Sequence, residues 1–156
     1  MKPRIIYMLV ALAVLAGCKD RDQDQKQMYD NRGAQAQRTT ASDAEYMEEY
    51  RRAFFDFDSA VIRDDARDTL RVQADYLKEN PDIKVVVEGH CDERGTREYN
   101  LALGYRRADA SKKVIAGAGV DAGRIKTVSY GKDRPWKTGT GEEVWRSNRN
   151  TTTIIQ

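Results

Sequence analysis

Apolar positions are spread unevenly along the chain. They form one dense run near the start, nearly vanish from Lys19 to Ala53, and then return in periodic groups. Phe54-Phe55-Asp56-Phe57 is short and aromatic and predicts a strand. Ile62, Ala66, Leu70, Ala74 and Leu77 recur every three or four residues, which is one face of a helix closed by Asn80-Pro81. Ile83 to Glu88 is a β-branched strand ending at Gly89. A second helix is expected from about Thr96 to Ala116, with Thr96 as N-cap and Gly117 and Gly119 as the stop. Arg124 to Tyr130 alternates as a strand does, Glu142 to Asn148 suits a helical turn around Trp145, and Thr151 to Ile155 closes the chain as a strand. The order β-α-β-α-β-β predicts an α/β (α+β) sandwich with its helices on one face of the sheet.

The first run has a different character. Lys2 and Arg4 precede an uncharged apolar stretch from Ile5 to Ala16, and small residues follow, which is the order of a secretory signal. The stretch is too short for a mature membrane span, which needs about 20 residues. Leu15-Ala16-Gly17-Cys18 resembles the lipobox of bacterial lipoproteins, in which the cysteine is acylated and becomes the new N-terminus. Several acyl chains anchor stably where one binds marginally, at about 0.8 kcal/mol per buried methylene. Lys19 stands where an Asp would suggest inner-membrane retention, so the resemblance implies an outer-membrane lipoprotein facing the periplasm. Residues 1–17 are thus expected to be a signal peptide and 18–53 a lipidated Cys18 with a polar tether. The segment from Lys19 to Ala53 holds no Val, Ile, Leu, Phe or Trp and cannot bury enough surface to offset its ordering entropy. As a coil it would span roughly 30 Å, with a stretched limit above about 100 Å. Residues 54–156 are left as one domain.

Composition narrows the function. Of 156 residues, 33% are charged, and 27 Lys and Arg stand against 25 Asp and Glu. Lys2 and Arg4 account for the whole excess, so beyond the leader the charges balance and give no basis for nucleic-acid binding. Two cysteines, Cys18 and Cys91, cannot form a disulfide framework.

The informative stretch is Gly89 to Ala108, GHCDERGTREYNLALGYRRA. On a helical wheel Thr96, Asn100, Leu103 and Arg107 share one stripe with Val114, so Arg107 lies on an apolar face and needs a partner. Asp92, in the loop before the helix, can fold toward that face. One outcome is an internal Asp92–Arg107 salt bridge. The other is a vacancy between two charges at a helix N-terminus, which suits a ligand carrying both signs. An amino acid is such a ligand.

The same string resembles the signature of OmpA-like peptidoglycan-binding domains, over about residues 54 to 150, and VSYGKDRP further on extends the match. Together with the lipobox and tether, it resembles the lipid-anchored branch of that family. The resemblance implies helices packed on one face of a mixed four-stranded sheet. It also implies non-covalent binding of the peptidoglycan stem peptide at meso-diaminopimelate. Arg107 would take a carboxylate, Asp92 would help hold the ammonium, Asp58 after Phe57 would line the pocket, Arg94, Thr96 and Asn100 would touch ligand, and Leu103 would form the floor. It further implies a second partner, the β-propeller protein TolB of the Tol system, in a linkage of outer membrane to wall. Ser111 and the C-terminal NRNTTTIIQ depart from the family's usual pattern.

Neither metal nor cofactor is expected. His90, Cys91, Asp92 and Glu93 are adjacent and cannot all converge on one ion from a turn. Cys91 reads better as a small buried residue than as a nucleophile, and adjacent Asp92 and Glu93 diverge too much for a glycosidase pair. No enzyme activity is expected. The alternatives are an anchoring lipoprotein without the Tol partnership and a wall-processing hydrolase. Trp136 could meet a partner, Trp145 belongs in the core, and Tyr99, Tyr105 and Tyr130 could border a binding surface.

Overall fold

The computed structural model describes residues 50–156; the signal segment, Cys18 and nearly all of the expected tether lie outside the described residues. The elements are β1 (Arg52–Phe54), α1 (Asp64–Glu79), β2 (Val85–His90), α2 (Arg97–Gly117), β3 (Ile125–Gly131), α3 (Glu142–Asn148) and β4 (Asn150–Ile155), with a 3-10 turn at Ala122–Arg124. The sheet order is β1-β4-β2-β3. β2 and β3 run parallel, while β4 lies antiparallel to both β1 and β2. This is the mixed four-stranded α+β architecture expected from the sequence. Val85 and Val87 of β2 and Ile125 of β3 form one core with Leu70, Ala74 and Leu77 of α1 and Ala108 and Ile115 of α2. Each fully buried large aliphatic side chain contributes about 1.5–3 kcal/mol. Among the described residues no helix is long and apolar enough to cross a membrane.

Three local differences from the sequence pattern have physical causes. The first strand is Arg52–Phe54, not Phe54–Phe57, because register with β4 pairs Arg52 with Thr152 and Phe54 with Asn150. Phe55 is still buried, but Phe57 is 59% exposed. The sheet therefore reaches back into the segment expected as tether: Ala53 is buried, and the Tyr50 carbonyl accepts a bond from the Gln73 side chain. Second, Gly89 does not stop β2, which continues to His90. A Cβ on Gly89 would stand 1.9 Å from the Gly104 carbonyl oxygen, so the glycine lets α2 rest on the strand. Third, the departures at Ser111 and the C-terminus compensate one another. Ser111 is fully buried and its hydroxyl pairs with Thr151 at 2.9 Å, while Thr153 donates to Gln73 Oε1 at 2.7 Å. β4 is an inner strand whose buried hydroxyls meet polar partners on the helices.

Candidate functional site

α2 begins where the pattern placed it. The Thr96 hydroxyl accepts a bond from the Tyr99 amide and caps the helix. The loop from Cys91 to Thr96 is held from both sides. The Cys91 amide donates to the Gly131 carbonyl at 2.8 Å, and the Asn100 side chain donates to the carbonyls of Arg94 and Thr96 at 2.7 and 3.1 Å.

Between this loop, α2 and the segment after β1 lies a cavity of about 160 Å³. Phe57, Asp58, Asp92, Arg94, Asn100, Leu103 and Arg107 all line it. Of the residues that the resemblance assigns to the ligand, Thr96 does not; it serves the helix end instead. Cys91, Gly95 and Tyr99 complete the lining.

Asp92 and Arg107 are not bonded to each other. Arg107 is completely buried and donates to three main-chain carbonyls: Ser59 at 2.7 Å from Nε, His90 at 2.9 Å from Nη1 and Asp56 at 3.0 Å from Nη2. Nη1 also approaches Cys91 Sγ at 3.5 Å. Burial lowers the Arg107 pKa from its usual value. Two of these carbonyls belong to the 56–59 segment that carries Phe57 and Asp58, so Arg107 fastens that wall of the cavity to α2.

Asp92 is paired elsewhere. Its Oδ1 accepts from the amide and Nε of Arg94, both at 3.2 Å, and its Oδ2 from Arg94 Nη2 at 2.7 Å and Arg149 Nη1 at 3.3 Å. Burial acts to raise the carboxyl pKa, but the bonds from Arg94 and Arg149 outweigh it and hold the group below the ordinary carboxylate value. Arg94 in turn is stacked between Phe57 and Trp145, with its guanidinium carbon 3.9 and 4.2 Å from the two ring centres.

Trp145 is therefore half-buried at the rim of the site, not in the core. Its indole N–H donates to Glu93 at 2.8 Å, which commits that ring to the loop. Asp58 sits at φ 51°, in the left-handed region that Asp tolerates better than most residues. One of its oxygens accepts a bond from the Tyr99 hydroxyl, and the other takes no protein hydrogen bond among the described residues. Arg149 is the member the sequence reading missed. Buried Asp92 required a counter-charge, and the cation in Asn148-Arg149 was the unused signal. Arg149 also bonds Glu142 at 2.7 Å and the Phe55 carbonyl at 3.3 Å. Cys91 is buried, donates to the Asn100 carbonyl at 3.3 Å, and has its thiol pushed up to about 11 by burial, so it holds no thiolate at neutral pH.

The sheet order and the loop-to-helix site define a domain of one kind. Residues 54–149 match the OmpA family, and the chain belongs to it. A peptidoglycan-associated lipoprotein of Agrobacterium fabrum is 43% identical over 159 residues, which cover 98% of this chain and 87% of that one. That of Haemophilus influenzae is 42% identical over 144 residues, covering 91% and 92%. The crystal structure of the peptidoglycan-associated lipoprotein from Burkholderia pseudomallei superposes with a TM-score of 0.66 at 40% identity, over 68% of this chain and 90% of that one. Within the family, the chain stands with the peptidoglycan-associated lipoproteins.

Proposed function

We propose that this chain is an outer-membrane lipoprotein whose domain grips the stem peptide of peptidoglycan at meso-diaminopimelate, without chemistry. Residues 1–17 are removed, acyl groups on Cys18 hold the protein to the inner leaflet, and the tether up to about residue 53 lets the domain reach the wall. The observation that carries this reading is that Asp92 and Arg107 line one cavity yet satisfy each other nowhere. Carbonyl dipoles solvate Arg107 without cancelling its charge, so the cavity wall that it lines draws a ligand carboxylate. Asp92 already accepts from two guanidinium groups. It orients Arg94 and the loop, and the open oxygen of Asp58 is the better seat for a ligand ammonium. Leu103 and Asn100 complete the floor, and Thr96 contributes by fixing the start of α2. TolB is proposed as a second partner, on the family resemblance.

Co-sedimentation with purified sacculi tests this. Asp58→Asn is expected to weaken binding at least tenfold with an unchanged urea midpoint, because Asp58 is exposed. Free meso-diaminopimelate should compete, and cadaverine, which keeps the two ammonium groups and lacks both carboxylates, should not. Binding indifferent to both the substitution and the competitor would overturn the assignment. A pull-down with TolB, with and without a stem fragment, separates a Tol partner from an anchor alone.

A further inference from the structure

On the opposite flank of α2 lies a larger and shallower groove of about 770 Å³, separate from the stem-peptide cavity in its lining. Its floor is β3, the edge strand of the sheet, whose outer side has no strand partner among the described residues. Its wall is the outer face of α2, where Leu101 is 47% and Tyr105 53% exposed on either side of Ala102. Unpaired edge strands flanked by apolar side chains are ready templates for strand addition.

The charges at this groove choose among occupants. Glu98 and Arg106 lie at its two ends, four residues either side of Ala102 and so about 6 Å from it along the helix axis. Neither makes an ion pair among the described residues, whereas Arg97 is paired with Asp133 at 2.7 Å and Lys113 with Asp109 at 2.7 Å. The strand side is centred on Val128, between Thr127 and Ser129. An acid and a base placed evenly about one small residue are self-complementary about a two-fold axis there, since each then meets its opposite on a second copy.

We propose that a second copy of this chain docks here, isologously, about an axis near Ala102 and Val128. The two β3 strands meet edge to edge and antiparallel, joining two sheets into one of eight strands. The two α2 helices cross above them with Leu101 and Tyr105 interdigitated. Glu98 of each copy faces Arg106 of the other. The edge residue Lys126 is two positions from the axis, so the two copies of Lys126 do not oppose each other, and the charge discourages registers that would bring them together. Two copies so joined present both stem-peptide cavities at once, and engaging two stems on one wall multiplies retention.

Sedimentation equilibrium on the full chain, with Cys18→Ser as the common background, tests the proposal. A concentration-dependent dimer is expected. Glu98→Arg and Arg106→Glu should each weaken it at least tenfold, because each places like charges across the axis twice. The combined Glu98→Arg/Arg106→Glu chain should recover to within about threefold of the parent, the pairs being restored in reverse. A chain that stays monomeric into the millimolar range overturns the proposal. So does a dimer that both single variants leave unchanged, which would place association elsewhere in the chain, or a combined variant that fails to recover.

Discussion

Replacing Arg107 by methionine keeps the length of the side chain and removes its charge and its donors. Three main-chain carbonyls, those of Ser59, His90 and Asp56, lose a cationic partner at 2.7 to 3.0 Å. A hydrogen bond to a charged group contributes about 1.5–3 kcal/mol, so the gross loss is roughly 5–9 kcal/mol. Against this stands relief from burying a guanidinium with no carboxylate beside it, a penalty of several kcal/mol per ion. The net expectation is a loss of about 3 kcal/mol. Arg107→Lys keeps the charge, but a single ammonium cannot span carbonyls contributed by two separate segments, and about 2 kcal/mol should go. Urea unfolding measures both, provided the slope is unchanged. Amide exchange should also rise in residues 56–59 and around His90 and Cys91 while the amides of α1 stay protected, since Arg107 bonds both segments and makes no hydrogen bond to α1 among the described residues. If Arg107→Met lies within about 0.5 kcal/mol of the parent, the carbonyl bonds do not hold the cavity wall and the structural role of Arg107 is refuted. The same argument means that loss of sacculus binding in Arg107→Ala, taken alone, cannot separate a lost ligand contact from a loosened wall. Exposed Asp58 is the cleaner probe.

Two further predictions follow from the same contacts. Asp92 has its pKa lowered in the folded chain, so its contribution to stability is present above the unfolded carboxyl value, near 3.9, and is lost as pH falls through the lower folded value; thermal unfolding of Asp92→Asn should therefore change less than that of the parent below about pH 4. Gly89→Ala would put a methyl group 1.9 Å from the Gly104 carbonyl oxygen, an immovable backbone atom, and should cost about 3 kcal/mol or more by calorimetry; an unchanged melting temperature would show that α2 does not rest on β2 as described.

The helices were legible because their evidence is local. The run of Ala66, Leu70, Ala74 and Leu77 and the Thr96 cap each lie within a few turns of the residues they define. The first strand was displaced because its limits are set by Asn150, Thr151 and Thr152, nearly a hundred positions away, and no pattern inside residues 52–57 carries that register. The same distance hid the partners of the site. The wheel put Arg107 on the inward face of α2, as found. Its acceptors, however, are main-chain carbonyls 17 to 51 residues distant, which have no sequence signature. Asp92 was expected to fold toward Arg107, yet the cations it meets are Arg94, two residues on, and Arg149, 57 residues on. Trp145 was expected in the core. Glu93 and Arg94, contributed by the distant loop, hold it at the rim.

The way each charge is satisfied explains why a cavity persists between two groups that attract one another. Had Arg107 been pointed at Asp92, the pair would have cancelled, and a ligand would have had to break a buried salt bridge to enter. Carbonyl oxygens behave differently from a carboxylate: they offset the desolvation of the guanidinium while leaving its full positive charge to be felt across a low-dielectric space. Asp92, conversely, is surrounded by more cationic charge than its own, from Arg94 and Arg149, so it does not draw Arg107 across the gap. The cavity is left with a net pull on an anion along its Arg107 wall and one exposed acid, Asp58, at its mouth. On the proposed function, that polarity would orient an amino-acid end group with carboxylate inward and ammonium outward, and a stem peptide offering the reverse order would meet Asp58 with its carboxylate and be rejected.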